Sequence, residues 1–300
     1  MQQTFDERNR DLIININGEL MHRDRAGVSP FDSAVQGGDL VWEGLRLYNG
    51  RIFRLMEHLD RLKGSAIALA FQKIPSHEEI IAEIRRTLEA NEMLDGVHIR
   101  LSLTRGVKIT SGMDPRLNQS GPTLIVLAEF KAPVYSREGL TLITSSVRRF
   151  PPDCLDPKIH HGNLIQSILA KIEANAAGAD DALMLDVRGF IAETNATHVF
   201  IVHGETVLTP HTHACPEGIT RQSVLDLCAS SGIAAEVRDL SLTEAYRADE
   251  MFCTGTMGEL VGVVKLDGRM IGSGDVGPMT RRLSGLYSAE TARAGFDVFV

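Results

Sequence analysis

Residues 40–69 read LVWEGLRLYNGRIFRLMEHLDRLKGSAIAL, and a change of period inside them decides the fold. Leu40 to Tyr48 has the composition of a strand, and Asn49-Gly50 is a dipeptide that closes one. From Leu55 the apolar positions become Leu55, Leu59, Leu62, Ala66 and Leu69, a spacing that lays one apolar stripe along a helix. Strand, turn and helix in one short stretch imply a mixed architecture. Upstream, Leu12 to Met21 alternates around Asn17-Gly18, the signature of a tight hairpin. Downstream, Ser76 and Glu79 stand in capping-box spacing at the head of a second helix that runs to Asn91.

Strands are expected at Val97–Thr104, Thr123–Glu129 and Leu140–Ser145, with the stretch bearing Pro133 as the linker between domains. The division is therefore a small α/β domain over residues 1–132 and a larger mixed-sheet domain over 133–300. In the second, a helix from about Gly162 to Ala177 carries Leu164, Ile165, Ile168, Leu169 and Ile172 on one face and stops at Gly178. Strands follow near 182–186 and 197–202, then a helix from Gly218, strands near Ala234 and Glu250, and a last helix near Pro278. The fold class is α+β.

The 300 residues are 43% hydrophobic and 23% charged, with a formal net charge of −8. An acidic chain with no basic stripe does not suit a nucleic-acid partner. The opening MQQTFDERNR lacks an apolar targeting core, and no run reaches a membrane-spanning length, so a cytoplasmic protein is expected. Cys154, Cys215, Cys228 and Cys253 form no CxxC pair and are read as reduced thiols.

Several positions have the chemistry of a site. Gly218-Ile219-Thr220 opens a helix, where free amides and the positive end of the dipole suit a phosphate, although a plain glycine turn would look the same. Thr254-Gly255-Thr256 offers two hydroxyls after a strand, again with a simple turn as the alternative. Lys158 lies between Pro157 and Ile159 and just ahead of His160-His161. A desolvated lysine there would be a nucleophile, and a surface lysine is the other reading. The adjacent histidines lack a third ligand at metal spacing, so no metal is expected. Glu193 is either solvent-facing or the partner of a protonated pyridine nitrogen.

In order and spacing these parts resemble the fold-type IV enzymes that use pyridoxal 5′-phosphate, the class IV aminotransferases of the branched-chain and D-amino-acid kind. The resemblance runs through Val41-Trp42-Glu43-Gly44-Leu45-Arg46, Glu57 to Leu62, Lys158, Leu185 to Glu193, Gly218 to Arg221, Ala248 to Phe252 and Thr254-Gly255-Thr256. It implies two domains, the second barrel-like, with the cofactor between them, and a homodimer. It also implies that Lys158 bonds the cofactor and shuttles the proton, and that Glu193 meets the pyridine nitrogen. Arg61, Ile219, Thr220 and Thr256 would hold the phosphate, while Trp42, His98, Arg100 and Met257 would face the substrate. The implied activity is ping-pong amino transfer between an amino acid, branched-chain L-amino acids first, and a 2-oxo acid.

Departures from the pattern bear on substrate and cofactor. Leu164 stands where branched-chain enzymes have the tyrosine that meets the cofactor's phenol oxygen, His198 replaces an asparagine, and Gly37 replaces a pocket tyrosine. Leu103-Thr104-Arg105-Gly106 is more like D-amino-acid aminotransferases. A D-amino-acid or (R)-amine aminotransferase, a lyase similar to aminodeoxychorismate lyase, and a non-catalytic small-molecule binder are the competing readings.

Overall fold

The computed structural model describes residues 4–136 and 138–300. Their elements in chain order are β1 (Ile13–Ile16), β2 (Glu19–His22), α1 (Ser33–Gly37), β3 (Leu40–Tyr48), β4 (Arg51–Ile52), α2 (Leu55–Ala68), α3 (His77–Ala90), β5 (Val97–Thr104), β6 (Thr123–Phe130) and β7 (Leu140–Thr144). There follow α4 (Ile165–Ala176), β8 (Asp181–Leu185), β9 (Ile191–Thr194), β10 (His198–His203), β11 (Thr206–Thr209), α5 (Ile219–Ser230), β12 (Ala235–Val237) and α6 (Leu242–Tyr246). The chain continues through β13 (Glu250–Gly255), β14 (Glu259–Leu266), β15 (Arg269–Met270), α7 (Pro278–Arg293) and β16 (Phe296–Asp297).

They form two compact units. The first takes the described residues up to Ala132 together with Ile159–Asn163 and Thr291–Val300; the second takes Pro133–Lys158 and Leu164–Glu290. The chain thus returns twice to the first unit after residue 133, which a single cut there does not describe.

The first unit is a seven-stranded antiparallel sheet in the order β16-β4-β3-β5-β6-β1-β2. Asn17 (φ 50°) and Gly18 (φ 82°) close the β1–β2 hairpin in the left-handed conformations that a tight two-residue turn requires. The expected stripe of α2 is buried: Leu55, Leu59, Leu62 and Ala66 pack with Val41, Leu45 and Leu47 of β3 and with Ile80, Ile84 and Leu88 of α3. Ser76 and Glu79 form the reciprocal capping box that starts α3.

The second unit is a nine-stranded mixed sheet, β12-β11-β10-β13-β14-β7-β8-β9, with β15 paired to β14. Its parallel pairs are β11–β12, β7–β14 and β7–β8. β9 at the end of the order runs into β10 through a turn in which Thr194 N donates to Thr197 O (2.7 Å), so the sheet curls on itself into a half-barrel. Leu142, Leu183, Val199, Ile201, Met251 and Val263 fill its core.

One local expectation changes, and one is completed. The helix expected from about Gly162 begins at Ile165; before it, Val41 pairs with His161 and Gly162 N donates to Leu40 O (2.9 Å), so residues 160–162 run extended along β3. Only glycine fits at 162, where a Cβ would lie 2.5 Å from Leu40 Cγ. The apolar face of α4 is also outward: Ile165, Ile168, Leu169 and Ile172 are 47–66% exposed, and Ala170 and Ala174 are the residues that pack inward.

Candidate active site

In the first unit, β3 and β5 place Gly44 opposite Arg100 and Arg46 opposite His98. Alternation puts Trp42, Gly44, Arg46, His98 and Arg100 on one face and Val41, Glu43 and Leu45 on the other, against α2. The missing side chain at Gly44 leaves room beside His98 Nε2, from which a Cβ would be 3.3 Å away. The Arg100 guanidinium carbon lies 3.5 Å from the centroid of the Trp42 ring, a cation–π contact. No oxygen acceptor among the described residues takes a hydrogen bond from it. Burial lowers its pKa to about 10 against the opposing pull of Glu43.

Glu43, fully buried, gathers donors from three residues on two separate segments, α2 and the stretch around His160. Arg61 Nε donates to Oε1 (2.7 Å), Arg61 Nη2 to Oε2 (2.7 Å), His58 Nδ1 to Oε2 (2.6 Å) and His160 Nδ1 to Oε1 (3.2 Å). Four donors fill the lone pairs of one carboxylate. Burial alone would raise the pKa of Glu43, but Arg61 and His160 outweigh it and hold the group well below the usual range. His160, whose ring is stacked on Trp42 (4.3 Å), has its own pKa lowered, first by burial. Because a carboxylate only accepts, the neutral His160 carries its proton on Nδ1 and presents Nε2 as an acceptor; this tautomer is assigned from the partner.

In the second unit, Glu193 of β9 is buried and ion-paired with Arg149 Nη2 (2.6 Å). Arg149 is itself fixed, Nε donating to Ala214 O (3.2 Å) and Nη1 to Ser167 Oγ (3.1 Å). His198 and Cys215 each bring a potential ligand atom within 4.8 Å of Glu193, but the guanidinium already on that carboxylate opposes a cation there.

Beside these residues, α5 starts at Gly218, which supplies no side-chain cap, so the first amides of the helix have no partner within it. A Cβ at Gly218 would stand 2.2 Å from His198 Cδ2; glycine lets the helix end approach β10. His198 faces Thr254 across the β10–β13 pair, and the buried Thr254 hydroxyl has no partner among the described residues. The start of α5 thus packs against His198, the strand partner of Thr254, and Thr220 is buried on its first turn. Thr256 and Met257 are half-buried in the turn that follows β13. Arg221 is occupied structurally, donating to Pro210 O (2.9 Å) and Thr209 Oγ1 (3.3 Å).

Lys158 has other surroundings. Its side chain is 53% exposed, and Nζ lies 3.3 Å from Oε1 of Glu217, which is 66% exposed. The carboxylate, the helix end and the orphaned hydroxyl fit the pyridine and phosphate parts of pyridoxal 5′-phosphate; a solvent-exposed side chain in contact with Glu217 does not fit the part that bonds the aldehyde. The expected residues therefore fall into two sets: Ile219, Thr220, Thr256, Met257, Glu193 and Lys158 in the second unit, and Trp42, Arg61, His98 and Arg100 in the first. Sequence reasoning assigned no role to Glu43, His58, His160 or Arg149, whereas Thr254 was visible as one hydroxyl of the Thr254-Gly255-Thr256 turn. A charged residue in the apolar run of β3 was the available signal for Glu43; nothing local marked His58, His160 or Arg149.

Residues 40–266 match the family model described as amino-transferase class IV. Over 287 residues the chain is 39% identical to the putative branched-chain-amino-acid aminotransferase of Methanocaldococcus jannaschii, covering 95% of this chain and 99% of that protein. It is 55% identical over 291 residues to branched-chain-amino-acid aminotransferase-like protein 2 of Arabidopsis thaliana, covering 97% of this chain but 52% of that protein. The chain thus spans about half the length of that relative. Among solved structures it is similar to the T.th. branched-chain amino acid aminotransferase complexed with N-(5′-phosphopyridoxyl)-L-glutamate, with TM-score 0.87, 34% identity and 94% of each chain covered. No helix among the described residues is long and apolar enough to cross a membrane.

Proposed function

From the premise that the chain belongs to the class IV aminotransferase family, we propose that it is a pyridoxal-phosphate-dependent aminotransferase that moves the amino group of an apolar amino acid, branched-chain L-amino acids first, to a 2-oxo acid. The observation that carries this reading is the open start of α5 beside the unpartnered Thr254 hydroxyl, in the same unit as the buried Glu193–Arg149 pair. A phosphate is held by free amides and hydroxyls, so Ile219, Thr220 and Thr256 are its ligands in this reading. Arg61 supplies the fixed positive charge, and Glu43 sets its orientation with two hydrogen bonds. Arg149, ion-paired with Glu193 at 2.6 Å, holds that carboxylate in place as the partner of the pyridine nitrogen in this reading. When bound, the cofactor accepts the amino group and withdraws electrons from the substrate carbon.

Trp42, His98, Arg100 and Met257 are assigned to the substrate. Arg100 is the most specific of them, a guanidinium steered by an indole face and left without an oxygen acceptor. An aminotransferase that alternates between an apolar and an acidic substrate needs such a group, because it can pair with the second carboxylate of one and lie flat against the side chain of the other. Arg100→Leu is expected to leave the half-reaction with L-leucine within a few-fold of wild type and to slow that with L-glutamate by about tenfold or more. Stopped-flow measurement of each half-reaction alone decides this. Equal losses would return Arg100 to a structural role.

Homodimerisation belongs to the same reading and is supported by the outward stripe Ile165, Ile168, Leu169 and Ile172, an apolar surface of the kind a protein interface covers. A reducing, cytoplasmic setting suits the four free cysteines.

A further inference from the structure

We infer that Lys158 does not hold the cofactor covalently, and that this chain binds it in a freely exchangeable form. The inference rests on the cofactor reading above and departs from it at one residue. A lysine that bonds a carbonyl must present a neutral amine, and proteins obtain one by removing it from water or by placing it near other cations. Lys158 meets neither condition: more than half of its side chain is exposed to water, and its Nζ lies 3.3 Å from Oε1 of Glu217 rather than beside another cation.

The backbone fixes that direction. Lys158 N donates to Asp156 Oδ1 (3.0 Å), closing a short turn around the buried Pro157. The next residues run along β3 in the first unit, and what they offer there is the imidazole of His160, hydrogen-bonded to Glu43, rather than an amine. The other lysines of the second unit do not take the part. Lys171 Nζ is held by Asp181 Oδ1 (3.0 Å) and by the Asp180 carbonyl, and Lys265 lies on β14 where that strand pairs with β15. The phosphate and pyridine contacts are then what retains the cofactor.

A consequence follows for affinity. An enzyme lysine that bonds the aldehyde adds to the binding of pyridoxal phosphate and adds nothing to an analogue without that group. Here pyridoxal 5′-phosphate and 4′-deoxypyridoxine 5′-phosphate are expected to bind within about threefold of each other, less than the tenfold that 1.4 kcal/mol represents. Equilibrium dialysis of the whole chain against each compound measures this. Borohydride reduction of the pyridoxal phosphate complex, followed by peptide mapping, is expected to leave no stoichiometric label on Lys158. Stoichiometric label there would overturn the inference, as would a preference for the aldehyde of about tenfold or more that Lys158→Ala removes. If neither compound binds, the cofactor reading itself fails and the inference falls with it, an outcome distinct from labelling at Lys158.

Discussion

Glu43→Ala is expected to lower the unfolding free energy by about 3–5 kcal/mol, the range seen when one partner is taken from a buried ion pair. The magnitude comes from what the substitution leaves behind. Arg61 loses both of its hydrogen bonds to the carboxylate, and His58 and His160 lose one each, in a part of the molecule where water replaces them poorly. Glu43 lies between Val41 and Leu45 on the face of β3 that packs against α2, so the loss falls in the core of the first unit. Urea unfolding followed by circular dichroism measures it. A change under about 1 kcal/mol would mean that this cluster contributes no more than an exposed ion pair.

Acidification is expected to remove a comparable amount. Burial, with Lys131, Arg46 and Arg100 nearby, brings the His98 pKa from 6.5 down to about 3. Between those values the unfolded chain takes up a proton that the folded chain refuses. Stability therefore rises with pH across the window: this contribution is complete above 6.5 and is lost as the pH falls toward 3. At about 1.4 kcal/mol per pH unit the loss reaches at most about 5 kcal/mol. Glu43, whose pKa is also lowered, adds a loss in the same direction below its unfolded value of 4.5. His98→Leu removes the buried ring, whose Nδ1 has no partner among the described residues, and is expected to flatten the dependence of the urea midpoint on pH between about 7 and 5. Parallel curves for the variant and the wild type would remove His98 from this account.

The sequence was legible where local rules act alone. Asn17-Gly18 specified a hairpin through its turn, Ser76 and Glu79 marked the head of α3, and Leu40–Tyr48 is a strand over the same residues in the structure. Periodicity said which face of α4 is apolar but not whether the chain covers it, and Ile165, Ile168, Leu169 and Ile172 are exposed. The extended run through His160 and His161 was not legible, because its pairing with β3 joins residues about 120 positions apart. The site shows the same division. Gly218-Ile219-Thr220 was visible because a helix start has a local signature. By contrast, Glu43 draws its donors from residues 58, 61 and 160, and the surroundings of Lys158 depend on Glu217 far along the chain.

Transfer of isotopically labelled nitrogen from L-leucine to 2-oxoglutarate, by the chain supplied with pyridoxal 5′-phosphate, tests the proposed function most directly. The account predicts labelled glutamate, formed only when both substrates and the cofactor are present. No labelled glutamate from either L- or D-leucine, with the cofactor demonstrably bound, would contradict it.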